Sequence, residues 1–178
     1  MEHTSRIPIE ITPIFEWKLR YSKIYWRSYV VDEQGQMIDR RDRSRFSTDF
    51  SFTRFCAPAM CDYSDELVLF CDADMLWRRD LAELIEIIDK SKAVSCVKHD
   101  YMPFEQEKMF GLKQTAYKRK NWSSLMVFNP SKCRSLTLYA ANNWTGEALH
   151  SFSWVEDDQI GSIPLEWNYL VGQTDLLS

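Results

Sequence analysis

The run Leu67-Val68-Leu69-Phe70-Cys71-Asp72-Ala73-Asp74 constrains this chain more than any other segment. Its apolar half reads as a buried strand, and it ends abruptly in two carboxylates. In extended backbone, side chains repeat every two residues, so Asp72 and Asp74 are expected to point the same way. No cation lies within the segment, and the two charges repel each other. A divalent ion relieves that repulsion, because hard carboxylate oxygens suit Mg²⁺ or Mn²⁺. Such an ion at the carboxyl end of a strand is well placed to hold a diphosphate. That points to an enzyme of nucleotide sugars or other phosphate compounds. The plain alternative is that Asp-x-Asp only ends a strand or caps a helix.

The flanking sequence alternates between strand and helix patterns. Residues 8–12 alternate like a short strand. Residues 15–26 are aromatic and basic, and suit a short helix or an edge segment. Residues 31–45 are polar, contain Gly35 and the charged run 39–45, and read as a surface loop. Residues 51–61 read as a helix, with Ser51 as N-cap and Phe52, Phe55, Cys56 and Met60 on one side. The Asp-x-Asp strand covers 66–71. Asp80 and Glu83 form a capping-box pattern, and Leu81, Leu84, Ile85 and Ile88 follow with helical spacing. Residues 93–98 and 125–128 are further buried strands, the latter ended by Asn129-Pro130. Residues 131–141 are helical in pattern, and 166–169 suit a short strand. This alternation predicts one α/β domain over residues 1–178, with a partly parallel sheet and ligands beyond the carboxyl ends of its strands.

At 178 residues, such a domain can bury a real core without disulfides. The net charge of −4 makes nucleic acid an unpromising partner. Cys56, Cys61, Cys71, Cys96 and Cys133 are odd in number and lack C-x-x-C spacing, so they read as reduced core thiols of a cytoplasmic protein. No run of 18 apolar residues predicts a membrane span, and no signal peptide is evident.

Several stretches in order resemble a known family: Ser47-Thr48-Asp49-Phe50-Ser51-Phe52-Thr53-Arg54-Phe55, Phe70-Cys71-Asp72-Ala73-Asp74-Met75, residues 120–129 around Trp122-Ser123-Ser124, Glu156-Asp157-Asp158-Gln159-Ile160, and Pro164-Leu165-Glu166-Trp167-Asn168. Together they are similar to the GT-A glycosyltransferases, specifically the family 8-like group of microbial and phage members that use nucleotide-diphosphate sugars. The resemblance spans nearly the whole chain, and its specificity lies in the ordered set. It implies a GT-A fold with a mixed, mostly parallel sheet flanked by helices. It also implies sugar transfer from a nucleotide-diphosphate donor, expected to be a UDP-sugar, with retention, to a carbohydrate or glycoconjugate acceptor.

Carried over residue by residue, Asp72 and Asp74 would bind Mn²⁺ or Mg²⁺ and the donor. Arg54 would face the donor, its fork suited to hydroxyl or phosphate oxygens. Ser123 and Ser124 would let backbone approach the sugar. Here the sequence departs from the family, with Trp122 in place of Asn and Ser124 in place of Gly. Asp157 and Asp158 match an acidic pair beside the reacting sugar, although helix-start acids follow the same pattern. His99 and His150 read as structural, hydrogen-bonded histidines.

Against the family pattern, the first nucleotide-binding strand and a C-terminal His motif are missing, which implies a chain short at both ends. An exposed sheet edge would then favour self-association. Two alternatives stay open. One is a non-catalytic GT-A fragment that binds carbohydrate or a partner. The other is a haloacid-dehalogenase-like phosphatase, a poorer match because Leu76 stands where that family has Thr or Val.

Overall fold

A computed structural model describes residues 5–46, 48–99, 119 and 122–171, and the backbone of 107–108 and 112–113. The elements in chain order are α1 (Glu16–Tyr21), β1 (Tyr29–Val31), β2 (Met37–Asp39), α2 (Ala57–Met60), β3 (Val68–Cys71), α3 (Leu81–Ile87), β4 (Val94–Val97), β5 (Glu107–Lys108), β6 (Leu112–Lys113), β7 (Leu125–Phe128), α4 (Leu138–Asn143), α5 (Gly146–His150) and β8 (Ile160–Ile163). Short 3₁₀ turns link several of them, including Thr53–Cys56 before α2 and Trp122–Ser124 before β7.

The central sheet has the order β3-β7-β4-β8. Strands β3, β4 and β8 run in one direction, and β7 runs against them between β3 and β4. The sheet is therefore mixed, as expected, but it is not mostly parallel in its pairing. Two of its three ladders are antiparallel, and only β4 with β8 is parallel. One reversed strand placed inside the sheet converts both of its neighbours' ladders. The carboxyl ends of the three co-directional strands still share one edge, together with the start of β7.

Alternation of side chains along these strands builds a core on each face. Val94, Cys96, Met126, Phe128 and Ile160 face one way, against Phe55, Cys56, Ala141, Leu149 and Phe152. Val97, Leu125, Val127 and Ile163 face the other, against Leu84 of α3, Ile88 just after it and Trp167. Helix α3 starts as its sequence predicts, with Ala82 N–H donating to Asp80 Oδ1 at 2.9 Å. Glu83 does not complete a capping box on the Asp80 amide. Its carboxylate takes Arg79 instead, at 2.5 Å.

Other local expectations are revised. Residues 31–45 hold most of a hairpin: β1 pairs with β2, Gly35 turns at φ +79°, and Asp32 Oδ1 accepts from the amides of Gln34 and Gln36. A buried ion pair explains why so polar a segment folds. Arg27 Nε donates to Asp39 Oδ2 at 2.7 Å, both side chains are fully buried, and the guanidinium lies 3.9 Å from the Phe52 ring centroid. Residues 8–12 are exposed and form no strand. Ser51 does not cap a helix; its hydroxyl turns back to the Thr48 carbonyl. The helix expected over 131–141 is broken, and α4 starts only after Thr137, whose hydroxyl accepts from Ala140 N–H. The strand expected at 166–169 is a 3₁₀ turn, Leu165–Asn168, and the strand lies earlier, at β8. Among the described residues, no helix is long and apolar enough to cross a membrane.

Candidate functional site at the carboxyl edge of the sheet

Strand β3 delivers Asp72 to the shared edge. Its Cys71 pairs with Leu125 at the start of β7, and the next amide, of Asp72, donates to the Ser124 carbonyl at 3.0 Å. The ladder thus fixes Asp72 beside Ser123 and Ser124. Regular pairing ends at Cys71, and Ala73 and Asp74 form a turn. The two-residue alternation expected of the carboxylate pair therefore lapses after Asp72. The two remain close enough to interact, because the negative charge of Asp74 disfavours ionisation of Asp72.

The turn Thr53–Cys56 brings Arg54 to the same place from the face of the sheet that carries Phe70. Arg54 is only 8% exposed. Its Nη1 donates to the Ser123 carbonyl at 2.7 Å, its Nη2 lies 2.9 Å from Asp72 Oδ1, and its guanidinium sits 5.1 Å from the Phe70 ring centroid. The missing cation of the Asp-x-Asp segment is thus present, contributed by residue 54. It does not fully compensate the site. Burial holds the Asp72 carboxyl above the usual carboxylate range, and Asp74 adds to that, against the opposing pull of Arg54.

Ser123 and Ser124 are held by side chains that sequence reasoning assigned no functional part. Ser123 Oγ lies 2.9 Å from His150 Nδ1, and Asn168 Nδ2 donates to Ser124 Oγ at 2.7 Å. Asn168 is buried just after β8, and His150 ends α5. Trp122 Nε1–H donates to the His99 carbonyl at 3.3 Å. His99 itself is buried, with Nε2 lacking a hydrogen-bond partner among the described residues, and burial pushes its pKa down.

Arg54, Asp72, Ser123 and Ser124 therefore meet at one edge of the sheet, with Asp74 exposed in the turn just beyond. Asp157 and Asp158 lie elsewhere. They precede Ile160, which pairs with Val94, while Val94 and Val68 both oppose Phe128. That row is the amino end of the co-directional strands, opposite the Asp72 end. Both acids are exposed, and Asp157 pairs with Arg119. Arg119 also lies 5.4 Å from the Trp122 ring centroid, so it spans part of the distance between the two ends.

Among the described residues, no three His, Cys, Asp or Glu side chains are grouped to enclose a metal ion. Asp72, already paired with Arg54, and the exposed Asp74 are the carboxylates that would be offered to a Mg²⁺ or Mn²⁺ ion. Such ions are commonly held by one or two carboxylates together with substrate phosphates and water.

This is an α/β protein with a carboxylate–arginine cluster at the carboxyl edge of a mixed sheet. No family model matches the chain, and no solved structure does. A curated relative, Protein CDI of Arabidopsis thaliana, is 45% identical over 170 residues, covering 94% of this chain and 60% of the relative. The chain thus spans less than two thirds of that relative's length.

Proposed function

We propose that this chain carries the donor site of a metal-dependent, GT-A-like glycosyltransferase that moves a sugar from a nucleotide diphosphate, best matched by a UDP-sugar, to a carbohydrate acceptor. The observation that carries the reading is the convergence of Asp72, Asp74, Arg54 and the Ser123-Ser124 backbone at the carboxyl edge of three co-directional strands. Open α/β sheets bind ligands at that edge. The ordered resemblance to the family 8-like group supports the same residues.

A Mn²⁺ or Mg²⁺ ion held by Asp72 and Asp74 would neutralise charge on the leaving diphosphate as a Lewis acid. The chain's own groups do the positioning. Arg54 holds Asp72 at a fixed distance from Ser123, and its charge favours an anionic ligand beside it. The carbonyls of Ser123 and Ser124 hold Arg54 and the Asp72 amide in place, so this turn positions the two charged groups. Retention is part of the family resemblance, and Asp157 and Asp158 enter this reading only through it.

The test is calorimetric titration of uridine diphosphate with and without Mn²⁺, on the wild type and on Asp74→Ala. That substitution leaves the Arg54–Asp72 pair in place. Metal-dependent binding that disappears in the variant is the expected result. Absence of binding to folded wild-type protein would overturn the reading. Binding without turnover of any UDP-sugar would favour the non-catalytic alternative.

A further inference from the structure

We propose that His150 is a positioning residue for this site, acting on Asp72 through Ser123 and Arg54. The inference rests on the donor-site reading for its functional consequence, and on geometry alone for the linkage. Three contacts run in series. His150 Nδ1 lies 2.9 Å from Ser123 Oγ, the Ser123 carbonyl accepts from Arg54 Nη1 at 2.7 Å, and Arg54 Nη2 lies 2.9 Å from Asp72 Oδ1. Ser123 Oγ is also 3.4 Å from Arg54 Nη1. With that oxygen accepting from Arg54, we assign its own proton to His150 Nδ1. The histidine then acts as acceptor, with its remaining proton on Nε2.

The relay has a rigid anchor. The His150 ring packs edge-on to Phe55 at 5.0 Å between centroids and against Phe52 at 5.5 Å. Phe55 adjoins Arg54 in the same 3₁₀ turn, so the wall that holds the histidine also carries the arginine. Ser123 is buried in the turn that enters β7, where a freed hydroxyl would have to find a new partner. Removing the acceptor at 150 lets the Ser123 peptide reorient. The Arg54 fork then loses the carbonyl that sets its distance to Asp72. Groups that orient ligating carboxylates in this indirect way tune affinity without touching the ligand.

Two substitutions separate this role from packing. His150→Phe keeps an aromatic ring between Phe52 and Phe55 but removes the acceptor. His150→Asn restores an acceptor near the Nδ1 position and gives up ring packing. The first readout needs no ligand: the Arg54 Nε–Hε resonance of the whole chain, followed by ¹H–¹⁵N NMR. We expect a slowly exchanging signal in the wild type, its loss in His150→Phe, and its return in His150→Asn. The second is calorimetry of uridine diphosphate with Mn²⁺, with affinity roughly tenfold weaker in His150→Phe and recovered in His150→Asn.

Ser123→Ala should reproduce His150→Phe in both readouts, and the double variant should be no worse than either single one. It also carries the test if His150→Phe fails to fold. An Arg54 resonance unchanged in His150→Phe or Ser123→Ala would overturn the proposal. So would rescue by Phe and not by Asn. If the wild type binds no nucleotide, the donor-site reading falls, and the Arg54 resonance still decides the relay.

Discussion

Arg54 and Asp72 form an ion pair of 2.9 Å across 18 residues of sequence, and the same guanidinium holds the Ser123 carbonyl at 2.7 Å. One planar fork thereby sets the spacing between the carboxylate and the β7 entry turn. A lysine keeps the charge but has a single ammonium that cannot repeat this geometry. Arg54→Lys is expected to weaken uridine diphosphate–Mn²⁺ binding about tenfold. Arg54→Ala should abolish it and lower stability by about 1–3 kcal/mol, because Asp72 is left half-buried without its partner. Calorimetry and urea unfolding check the two parts. Equal affinity in Arg54→Lys would mean that the charge alone matters.

The carboxylates differ in their settings, and neither is expected to stabilise the fold. Asp72 is engaged by Arg54 and by the β7 turn, whereas Asp74 is exposed in the turn that follows. Asp74→Asn should leave the melting temperature within about 2 °C of wild type, as surface substitutions usually do. Asp72→Asn should leave it unchanged or raise it slightly, since burial outweighs the pull of Arg54 on that carboxylate and the Asn amide oxygen can still accept from the guanidinium. Both should remove metal-dependent nucleotide binding. A pair of calorimetric scans and the same titrations test these expectations.

How much of this was legible in sequence depends on how far apart the cooperating residues lie. The apolar runs of β3, β4 and β7 and the periodicity of α3 announce themselves within a few residues, and β7 matches its expected span, Leu125–Phe128. Pairing is not local. Nothing in Leu-Met-Val-Phe says that this strand enters the sheet reversed between β3 and β4. Strand β8 escaped notice because Ile-Gly-Ser-Ile has only two apolar residues and gains its burial from β4. The β1–β2 hairpin read as a polar loop because a buried ion pair, Arg27 with Asp39, helps to hold it. At the site, the Asp-x-Asp pair was visible, but its counter-ion comes from residue 54. The braces from His150 and Asn168 are created only when α5 and the 3₁₀ turn Leu165–Asn168 meet the β7 turn.

That same ion pair makes a strong stability prediction. Arg27 and Asp39 are fully buried, Arg27 Nη1 also donates to the Ala141 carbonyl at 3.2 Å, and Asp39 Oδ1 accepts from the Arg41 amide at 2.8 Å. The pair ties the hairpin to α4. Removing one partner leaves an uncompensated charge in the core, so Arg27→Ala should cost about 3–5 kcal/mol. Replacing both residues by apolar ones should cost less than the single change, because no orphaned charge remains. Urea unfolding of the single and double variants distinguishes these outcomes.

His99 gives the fold a pH dependence of defined sign. Its ring is buried, and burial lowers its pKa below the ordinary histidine value of 6.5. The unfolded chain therefore takes up a proton on this residue at a higher pH than the folded chain does. The histidine's contribution is complete above about pH 6.5, and stability falls as the pH drops from there toward the lowered folded value. Below that value both states are protonated, and this residue adds no further slope. His99→Phe removes the titrating group, while the Trp122 bond to the residue 99 carbonyl remains available. Melting curves between pH 7.5 and pH 5 (a range set by the roughly 6.5 midpoint of free histidine) should therefore decline less steeply for the variant than for the wild type. Parallel curves would show that His99 accepts its proton equally well in both states, and would place its buried Nε2 in contact with water.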